Sequence, residues 1–384
     1  MSRKTLRAIA GSKRLSLISV GVCVAALISA VAASSHPAAP TVDPEVAAAK
    51  AAVKQLTSSV TKWTGPTSGP KAKRGENIAF VSLQQSNPAV SGWGVAIEQA
   101  AKHLGWHVTI YDGKGTTDGQ LTAFQAALAA KPNGIILGAL QVNSFQPELQ
   151  TAASLHIPVV GIHSAADVGA YGSQHMFYNV AQSTAAIGKA AADFVIADSN
   201  GTGQAVILTD RSYTIALDKA NAERNEFAKC KGCKLLAFVN APLATISTRA
   251  GQETSSLIST YGKNLQYMMS IADFYYDNIV PALRSTNIPT SQIKLVGTDG
   301  TASAFQRIRG GEYQVATVPG SLTLEGWSAV DELNRALNGK PAALFPLPVH
   351  LVTKSDINSE GGAQNAWIPG NNFEQRYLKI WGAS

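Results

Sequence analysis

Polar side chains that could bind a ligand follow several short apolar runs of this sequence, at the point where each run ends. Asp299 lies in a Gly-Thr-Asp-Gly turn after the run 294–297, and Asp273 follows the run 266–271. An acid at such a position is often only a helix cap, and that interpretation stays open for each residue. Their recurrence after successive runs nevertheless favours a shared binding site. The residues concerned are Gln84, Gln85, Asp112, His163, Ser164, Asp210, Asp273 and Asp299.

Chemistry beyond binding has little support in the sequence. It contains no nucleophile elbow, no P-loop, no His-Glu-x-x-His motif and no pair of carboxylates at strand ends. His103 and His107 are four residues apart, but His107 begins a predicted strand, so the two do not share a helical face. The other histidines lack the spacing of metal ligands. We therefore predict a protein that is not an enzyme and that has neither a metal nor a cofactor.

The pair Cys230 and Cys233 could carry redox chemistry, bind zinc or form a structural disulfide. A thioredoxin-like pair needs its first cysteine at the start of a helix, where the helix dipole lowers the thiol pKa. Here a predicted helix over 220–229 ends at the cysteines, and a predicted strand over 234–240 follows. This reversed order favours a disulfide that clips the turn.

The first 32 residues are typical of an export signal. A basic stretch ends at Arg14, an apolar run covers 15–33, and the small residues Ala30 and Ala32 suit a signal peptidase. We predict cleavage near Ala32 and a periplasmic mature protein. An uncleaved membrane anchor is the alternative, because the apolar run is nearly long enough to span a bilayer.

The net charge of +7 does not indicate a nucleic-acid partner. Much of the excess lies in the N-terminal basic stretch and in a linker at 71–74, and the rest of the chain is nearly balanced. A DNA-binding repressor would also need a helix-turn-helix domain in front of its core. This chain has the apolar segment and an Ala-rich stretch there.

Strand-length runs and helical stretches alternate from residue 77 onward, after a leader helix and linker at 33–76 in which one helix is predicted over 44–62. The alternation predicts an α/β fold with parallel sheets covered on both faces, and the number of strands favours two lobes. Ligands of such folds bind beyond the carboxyl ends of the strands. The runs are 78–83, 108–111, 134–140, 158–162, 205–209, 235–239, 266–271, 294–297 and 314–318.

Four segments of the sequence are not distinctive singly, but their order and spacing together are specific for one family. They begin Asn77-Ile-Ala-Phe-Val-Ser-Leu, Lys131-Pro-Asn-Gly-Ile-Ile-Leu, Leu295-Val-Gly-Thr-Asp-Gly and Gly326-Trp-Ser-Ala-Val-Asp-Glu-Leu. On these segments the chain resembles a type I periplasmic binding protein of the ribose-binding kind, the receptor part of an ABC sugar importer. The resemblance covers roughly residues 77–354.

The resemblance implies a fold of two Rossmann-like lobes joined by three hinge crossovers. The first lobe would hold 77–180 plus 322–350, and the second would hold 181–321 plus 351–384. The crossovers would fall near 179–181, 319–322 and 350–353. Closure about such a hinge is a rigid-body motion, and a ligand that touches both lobes shifts the population towards the closed form.

The resemblance also implies a set of ligand-binding residues. Asp299 matches the family's hydroxyl-binding acid, while Asn221 stands where the family has Arg on a second-lobe helix. Trp93 could replace a missing stacking aromatic or could anchor its helix in the core. These departures argue against an ordinary pyranose or ribose as the ligand. The implied set is Gln84, Gln85, Asn87, Trp93, His163, Ser164, Asn221, Asp273 and Asp299.

The implied function is a monomeric receptor for a small polar ligand of carbohydrate type, with an ABC permease in the membrane as its partner. The alternative is a sensor whose closed form docks on a receptor kinase or a chemoreceptor. The soluble part would look the same in both cases.

Overall fold

Two six-stranded sheets form the framework of residues 43–383, the part of the chain that the computed structural model describes. The predicted signal peptide and the start of the leader lie outside these residues. The first sheet holds β1 (Asn77–Ser82), β2 (His107–Asp112), β3 (Gly134–Gly138), β4 (Val159–Ile162), β5 (Gly169–Tyr171) and β6 (Met176–Val180). The second holds β7 (Gln204–Thr209), β8 (Lys234–Asn240), β9 (Tyr267–Ser270), β10 (Lys294–Asp299), β11 (Gln314–Pro319) and β12 (Val352–Thr353).

The strand order is β2-β1-β3-β4-β6-β5 in the first sheet and β12-β11-β10-β9-β7-β8 in the second. All neighbours pair in parallel except the edge strands β5 and β12, which are antiparallel. The apolar runs of the sequence match nine of these strands. The structure therefore confirms the predicted two-lobed α/β fold, while β5, β6 and β12 were missed because they are short or mixed in polarity.

Helices cover both sheets. The first lobe carries α2 (Pro88–Leu104), α3 (Thr117–Ala129), α4 (Gln146–Ser154), α10 (Leu322–Leu337) and α12 (Phe373–Trp381). The second carries α1 (Pro44–Leu56), α5 (Thr184–Asp198), α6 (Thr214–Phe227), α7 (Ile246–Tyr261), α8 (Phe274–Ser285), α9 (Ala302–Gly310) and α11 (Ile357–Glu360). Among the described residues, none of these helices combines the length and hydrophobicity that a membrane span requires.

Local sequence explains where the helices near the cleft begin and end. The side chain of Asn87 caps α2 by accepting a hydrogen bond from the backbone of Ala89, and Pro88 occupies the first helical position. Gly105 ends the same helix in the left-handed conformation, with φ of 66°. Apolar residues of α2 and α10 pack against one face of the first sheet and form a common core.

Within residues 43–383 the chain passes between the lobes after β6, after β11 and before β12, and at two further places. The leader helix α1, which ends at Leu56 and not near residue 62, packs on α5 of the second lobe. The chain then enters the first lobe at Trp63. The assignment of 351–384 to the second lobe needs correction, because α12 packs on α10 in the first lobe. The apolar face of α12 packs into the aromatic core of the first lobe. Neither the length of the tail nor the family spacing indicated this contact.

Candidate functional site

A cavity of about 90 Å³, open at its mouth, lies between the two lobes. It is bounded by the carboxyl ends of strands from both sheets, since Leu83 follows β1, His163 follows β4, Ile271 follows β9 and Asp299 ends β10. This volume is smaller than the roughly 300–1,000 Å³ of most small-molecule sites, so a sugar-sized ligand requires the two lobes to lie farther apart than they do here. The other lining residues are Asn87, Ala89, Val90, Trp93, Ala139, Gln141, Tyr213, Ile215, Ala216, Lys219, Leu243 and Ala272.

An aromatic stack forms the first-lobe wall of the cavity. The indole of Trp93 and the imidazole of His163 lie nearly parallel, with ring centroids 5.5 Å apart and an angle of 15°. Both rings bind the buried carboxylate of Glu325: the Trp93 indole N–H donates to Oε2, and His163 Nε2 lies 3.2 Å from Oε1. Trp93 is thus anchored in the core and also lines the cavity, so the two interpretations of this residue are not exclusive.

An ion pair forms the second-lobe wall. Lys219, on α6, points its ammonium group at Asp299 Oδ1, 3.0 Å away, and lies 3.4 Å from Thr298 Oγ1. The Lys219 side chain is largely buried, whereas Asp299 keeps about a fifth of its side-chain surface exposed. This wall therefore offers a cation and an anion to a ligand, opposite the aromatic stack.

The turn that carries Asp299 is held in a strained conformation. Asp299 has φ of 91°, which is rare for a residue with a side chain, and Gly300 follows with φ of 75°. The backbone N–H groups of Gly300 and Thr301 donate to Asp273 Oδ2 at 2.8 and 3.3 Å. Asp273 thereby fixes the turn that aims Asp299 at the cavity.

Three side chains join the lobes directly across the cavity mouth. Gln141, after β3, accepts from the backbone N–H of Thr214 at 2.6 Å and donates to the carbonyl of Ser212 at 3.0 Å. Gln120 Nε2 donates to the hydroxyl of Tyr213 at 3.1 Å. These bonds exist only when the lobes are together, so the structure represents a closed arrangement.

A family comparison agrees with this geometry. Residues 78–341 match the family described as "Periplasmic binding protein domain". The chain belongs to this family. No match was found among curated proteins.

Solved structures resemble this periplasmic binding protein over most of its length. An ABC transporter solute-binding protein from Agrobacterium vitis with bound allitol is 20% identical, with a TM-score of 0.65, over 74% of this chain and 97% of its own. The periplasmic component of the arabinose ABC transporter from Shewanella sp. ANA-3, bound to L-arabinofuranose, is 19% identical, with a TM-score of 0.66, over 80% and 97%. At these identities the likeness shows the fold alone.

A third structural neighbour was solved in a complex with another protein. It is the XylFII–LytSN complex, 18% identical to this periplasmic binding protein, with a TM-score of 0.63, over 73% of this chain and 99% of that one. At 18% identity, this likeness also shows the fold alone.

Four of the predicted site residues line the cavity of this periplasmic binding protein: Asn87, Trp93, His163 and Asp299. Asn87 also caps α2, so the cap and the binding interpretations coexist there. His163 adopts a left-handed conformation, with φ of 48°, which turns its ring towards Glu325 and the cavity wall.

Asp273 does not reach the cavity, and this corrects the prediction that it binds ligand hydroxyls. It is completely buried and accepts hydrogen bonds from Gln314, Thr317 and the Gly300–Thr301 backbone. Burial raises its pKa to about 7, the Asp299 charge adds to the rise, and Arg307 opposes it. Its role is to position the turn.

The remaining predicted residues are placed beside the cavity and not on its wall. Gln84 and Ser164 are buried, and Ser164 Oγ donates to the carbonyl of Leu137. Gln85 lies in the turn after β1, where its backbone donates to Asp112. Asn221, half-buried on α6, is two positions beyond Lys219 and faces away from the wall that Lys219 forms. None of these four residues lines the cavity in this closed arrangement, and their contacts with a ligand stay a prediction.

Asp112 and Asp210 stabilise turns and do not cap helices, since Thr116 and Tyr213 hold the N-cap positions of α3 and α6. Asp112 Oδ1 accepts from the backbone of Gln85 and Lys114, and Asp210 accepts from the backbone of Ser212 and Leu243. They shape loops at the cavity rim. Sequence reasoning missed Lys219, Gln141, Tyr213 and Glu325, which lie inside helices or loops without a motif. A lysine among small residues on the face of a predicted helix was the only signal available for Lys219.

Cys230 and Cys233 are joined by a disulfide after the end of α6. The residues of α6 that line the cavity lie in its first two turns, so the cysteines are at the opposite end of the helix. Within residues 43–383, no three His, Cys, Asp or Glu side chains are grouped as metal ligands.

Proposed function

We propose that this protein is an extracytoplasmic receptor that captures a small, polar, sugar-like ligand between its lobes and delivers it to an ABC importer. The observation that carries the proposal is the cavity itself, which has an aromatic stack on one lobe and a Lys219–Asp299 ion pair on the other. Aromatic faces pack against the C–H face of a sugar ring, and charged groups bind its hydroxyls. The ligands named for the structural neighbours, allitol and L-arabinofuranose, support this class.

The proposed receptor is monomeric, has no nucleic-acid partner and does not catalyse a reaction. Its cavity contains one carboxylate paired with a lysine, and the second nearby acid, Asp273, is occupied by four protein donors. This arrangement suits binding, since the charged groups already satisfy one another and hold a fixed geometry. Delivery to a permease requires export. N-terminal sequencing should therefore show that the mature protein begins near residue 33.

A thermal-shift screen of the purified protein against sugars, polyols, nucleosides and small acids tests the proposal. A ligand that binds only the folded state raises stability by mass action, by about 2.7 kcal/mol at a hundredfold excess over Kd. We expect a polyol or sugar to raise Tm and small acids to have no effect. A screen in which no sugar or polyol shifts Tm would overturn the ligand class.

A sensor role is the second candidate, and the XylFII–LytSN complex is the observation that favours it. Both roles share the binding step and differ in the partner of the closed form. Crosslinking of the ligand-bound protein in membranes, followed by identification of the partner, separates them. Capture of an importer permease supports delivery, and capture of a receptor kinase supports sensing.

A further inference from the structure

The leader is attached to the second lobe along its helix. Val46 and Ala49 of α1 are buried against α5 in the core of that lobe. Lys50 Nζ donates to Asn200 Oδ1 at 2.7 Å. Farther along, Val60 packs on a small cluster of the same lobe that contains Trp367.

Three residues later, the same leader is attached to the first lobe. The indole of Trp63 is 8% exposed and packs between Phe345 and Tyr377, with ring centroids 5.0 and 5.5 Å away. Its N–H donates to the carbonyl of Pro66 at 3.0 Å. The leader therefore crosses from one lobe to the other between Val60 and Trp63, with firm packing at both ends.

The C-terminal tail makes the same crossing beside the leader. Trp367 is buried in the second-lobe cluster, and Phe373 is buried in the core of the first lobe. Between them, Gly370 comes so close to the leader that an added Cβ would touch Thr61 at 3.9 Å. Two segments from opposite ends of the described chain thus run together between the lobes.

Leader and tail also enclose the third crossover. The backbone N–H of Leu351 donates to the carbonyl of Leu56 at 3.0 Å. The ring of His350 stacks on Trp367 at 4.5 Å, and its Nε2 lies 3.1 Å from Glu360. His350, Leu351 and Val352 have no exposed surface.

A hinge works because a few residues change their backbone angles, and buried, hydrogen-bonded residues cannot do so without breaking contacts. We propose that leader and tail together form a hinge brace, which limits how far the lobes open and raises the closed population of the ligand-free protein. The brace is residues 56–63 and 367–373. The proposal rests on the proposed function only in that it takes hinge motion between the lobes as given.

The test is to cut the brace and measure the lobe separation without any ligand. Protease sites are inserted after Thr61, after Gly370 and at both places in the full chain, with Cys23→Ser so that Cys230 and Cys233 are the only native cysteines. Spin labels at Lys114→Cys and Ser247→Cys report the distance across the cavity mouth, since both positions are exposed and follow the carboxyl ends of β2 and β8. The matched control is a cut in the exposed turn 262–264 of the second lobe.

We expect the doubly cut protein to give longer and broader distance distributions than the unmodified chain, the single cuts to fall between, and the control cut to leave the distribution unchanged. Circular dichroism of the cut proteins verifies that the lobes stay folded. A doubly cut, folded protein with the unmodified distribution overturns the brace. This result is distinct from failure of the proposed function, because the ligand screen uses the uncut protein and no label.

Discussion

The ammonium group of Lys219 lies 3.0 Å from the carboxylate of Asp299, so that a helix and a strand end of the second lobe present one ion pair to the cavity. Breaking a partly buried pair costs more than the pair contributes, because the remaining charge is left without its partner. A ligand that enters between the lobes can bind both charges without separating them. Replacement of either residue should therefore weaken ligand binding and also lower the stability of the fold.

Asp299→Ala should weaken binding of the best ligand from the screen by about ten- to hundredfold. A hydrogen bond to a charged acceptor contributes about 1.5–3 kcal/mol, and its loss appears directly in Kd. Calorimetric titration gives the affinity, and a melting curve gives the stability. The matched control is Thr301→Ala, which removes the cap of α9 and should cost about 1 kcal/mol of stability with affinity unchanged. An Asp299→Ala protein with full affinity would contradict the ligand role.

Lys219→Met should also lower affinity by tenfold or more, whereas Asn221→Ala on the same helix should leave it within about threefold. Lys219 lines the cavity and pairs with Asp299, while Asn221 does not line it. The methionine keeps the apolar stem, so that loss of charge is the main change. Titration of both variants with one ligand decides the matter. Equal losses would mean that the helix as a whole, and not the Lys219 charge, determines affinity.

Asp273→Ala should reduce the free energy of unfolding by about 3 kcal/mol or more, because four donors would lose a buried acceptor. Asp112→Ala, which removes an exposed acceptor of two backbone N–H groups, should cost about 1 kcal/mol. Urea denaturation of the two variants measures the difference. Similar losses would show that Asp273 is not the support of the turn.

Glu223→Gln should stabilise the protein at alkaline pH. Glu223 is completely buried on α6, and burial raises its pKa to about 8, although Lys219 opposes the rise. The unfolded chain loses this proton near pH 4.5, so the acid makes the folded state progressively less stable as pH rises from 4.5 to 8. We expect equal Tm values near pH 5 and a variant more stable by roughly 1–3 kcal/mol above pH 8. A difference that does not change with pH would contradict the assignment.

Replacing both Cys230 and Cys233 by Ser should leave ligand affinity within about threefold. The disulfide follows the end of α6 that is remote from the cavity. Stability should fall by no more than about 2 kcal/mol, since the closed loop is very short. Titration and melting of the double variant test both statements. A loss of affinity beyond tenfold, about 1.4 kcal/mol, would link this turn to the site.

The strands and the lobes could be predicted because local sequence patterns, namely apolar runs that alternate with helical stretches, determine them. Strands of a parallel sheet are rich in apolar residues, and the apolar runs of the sequence match nine of the twelve strands of residues 43–383. The position of the binding region followed from the same patterns, because the carboxyl ends of parallel strands meet at one edge. The sequence by itself thus determined the architecture and the edge at which Asp299 and His163 lie.

Tertiary structure alone decided which side chains enter the cavity. Lys219 and Asn221 are only two positions apart, but two helical residues differ by about 200° around the axis, so only one faces the cleft. Asp273 and Asp299 end neighbouring strands with the same local signature, yet Gln314 and Thr317 of β11 enclose Asp273 and leave Asp299 at the wall. Contacts between residues distant in sequence carry no local pattern. The two additional crossings between the lobes, which end at Trp63 and Phe373, could not be predicted for the same reason. An aromatic residue becomes an anchor only when the other lobe supplies its pocket.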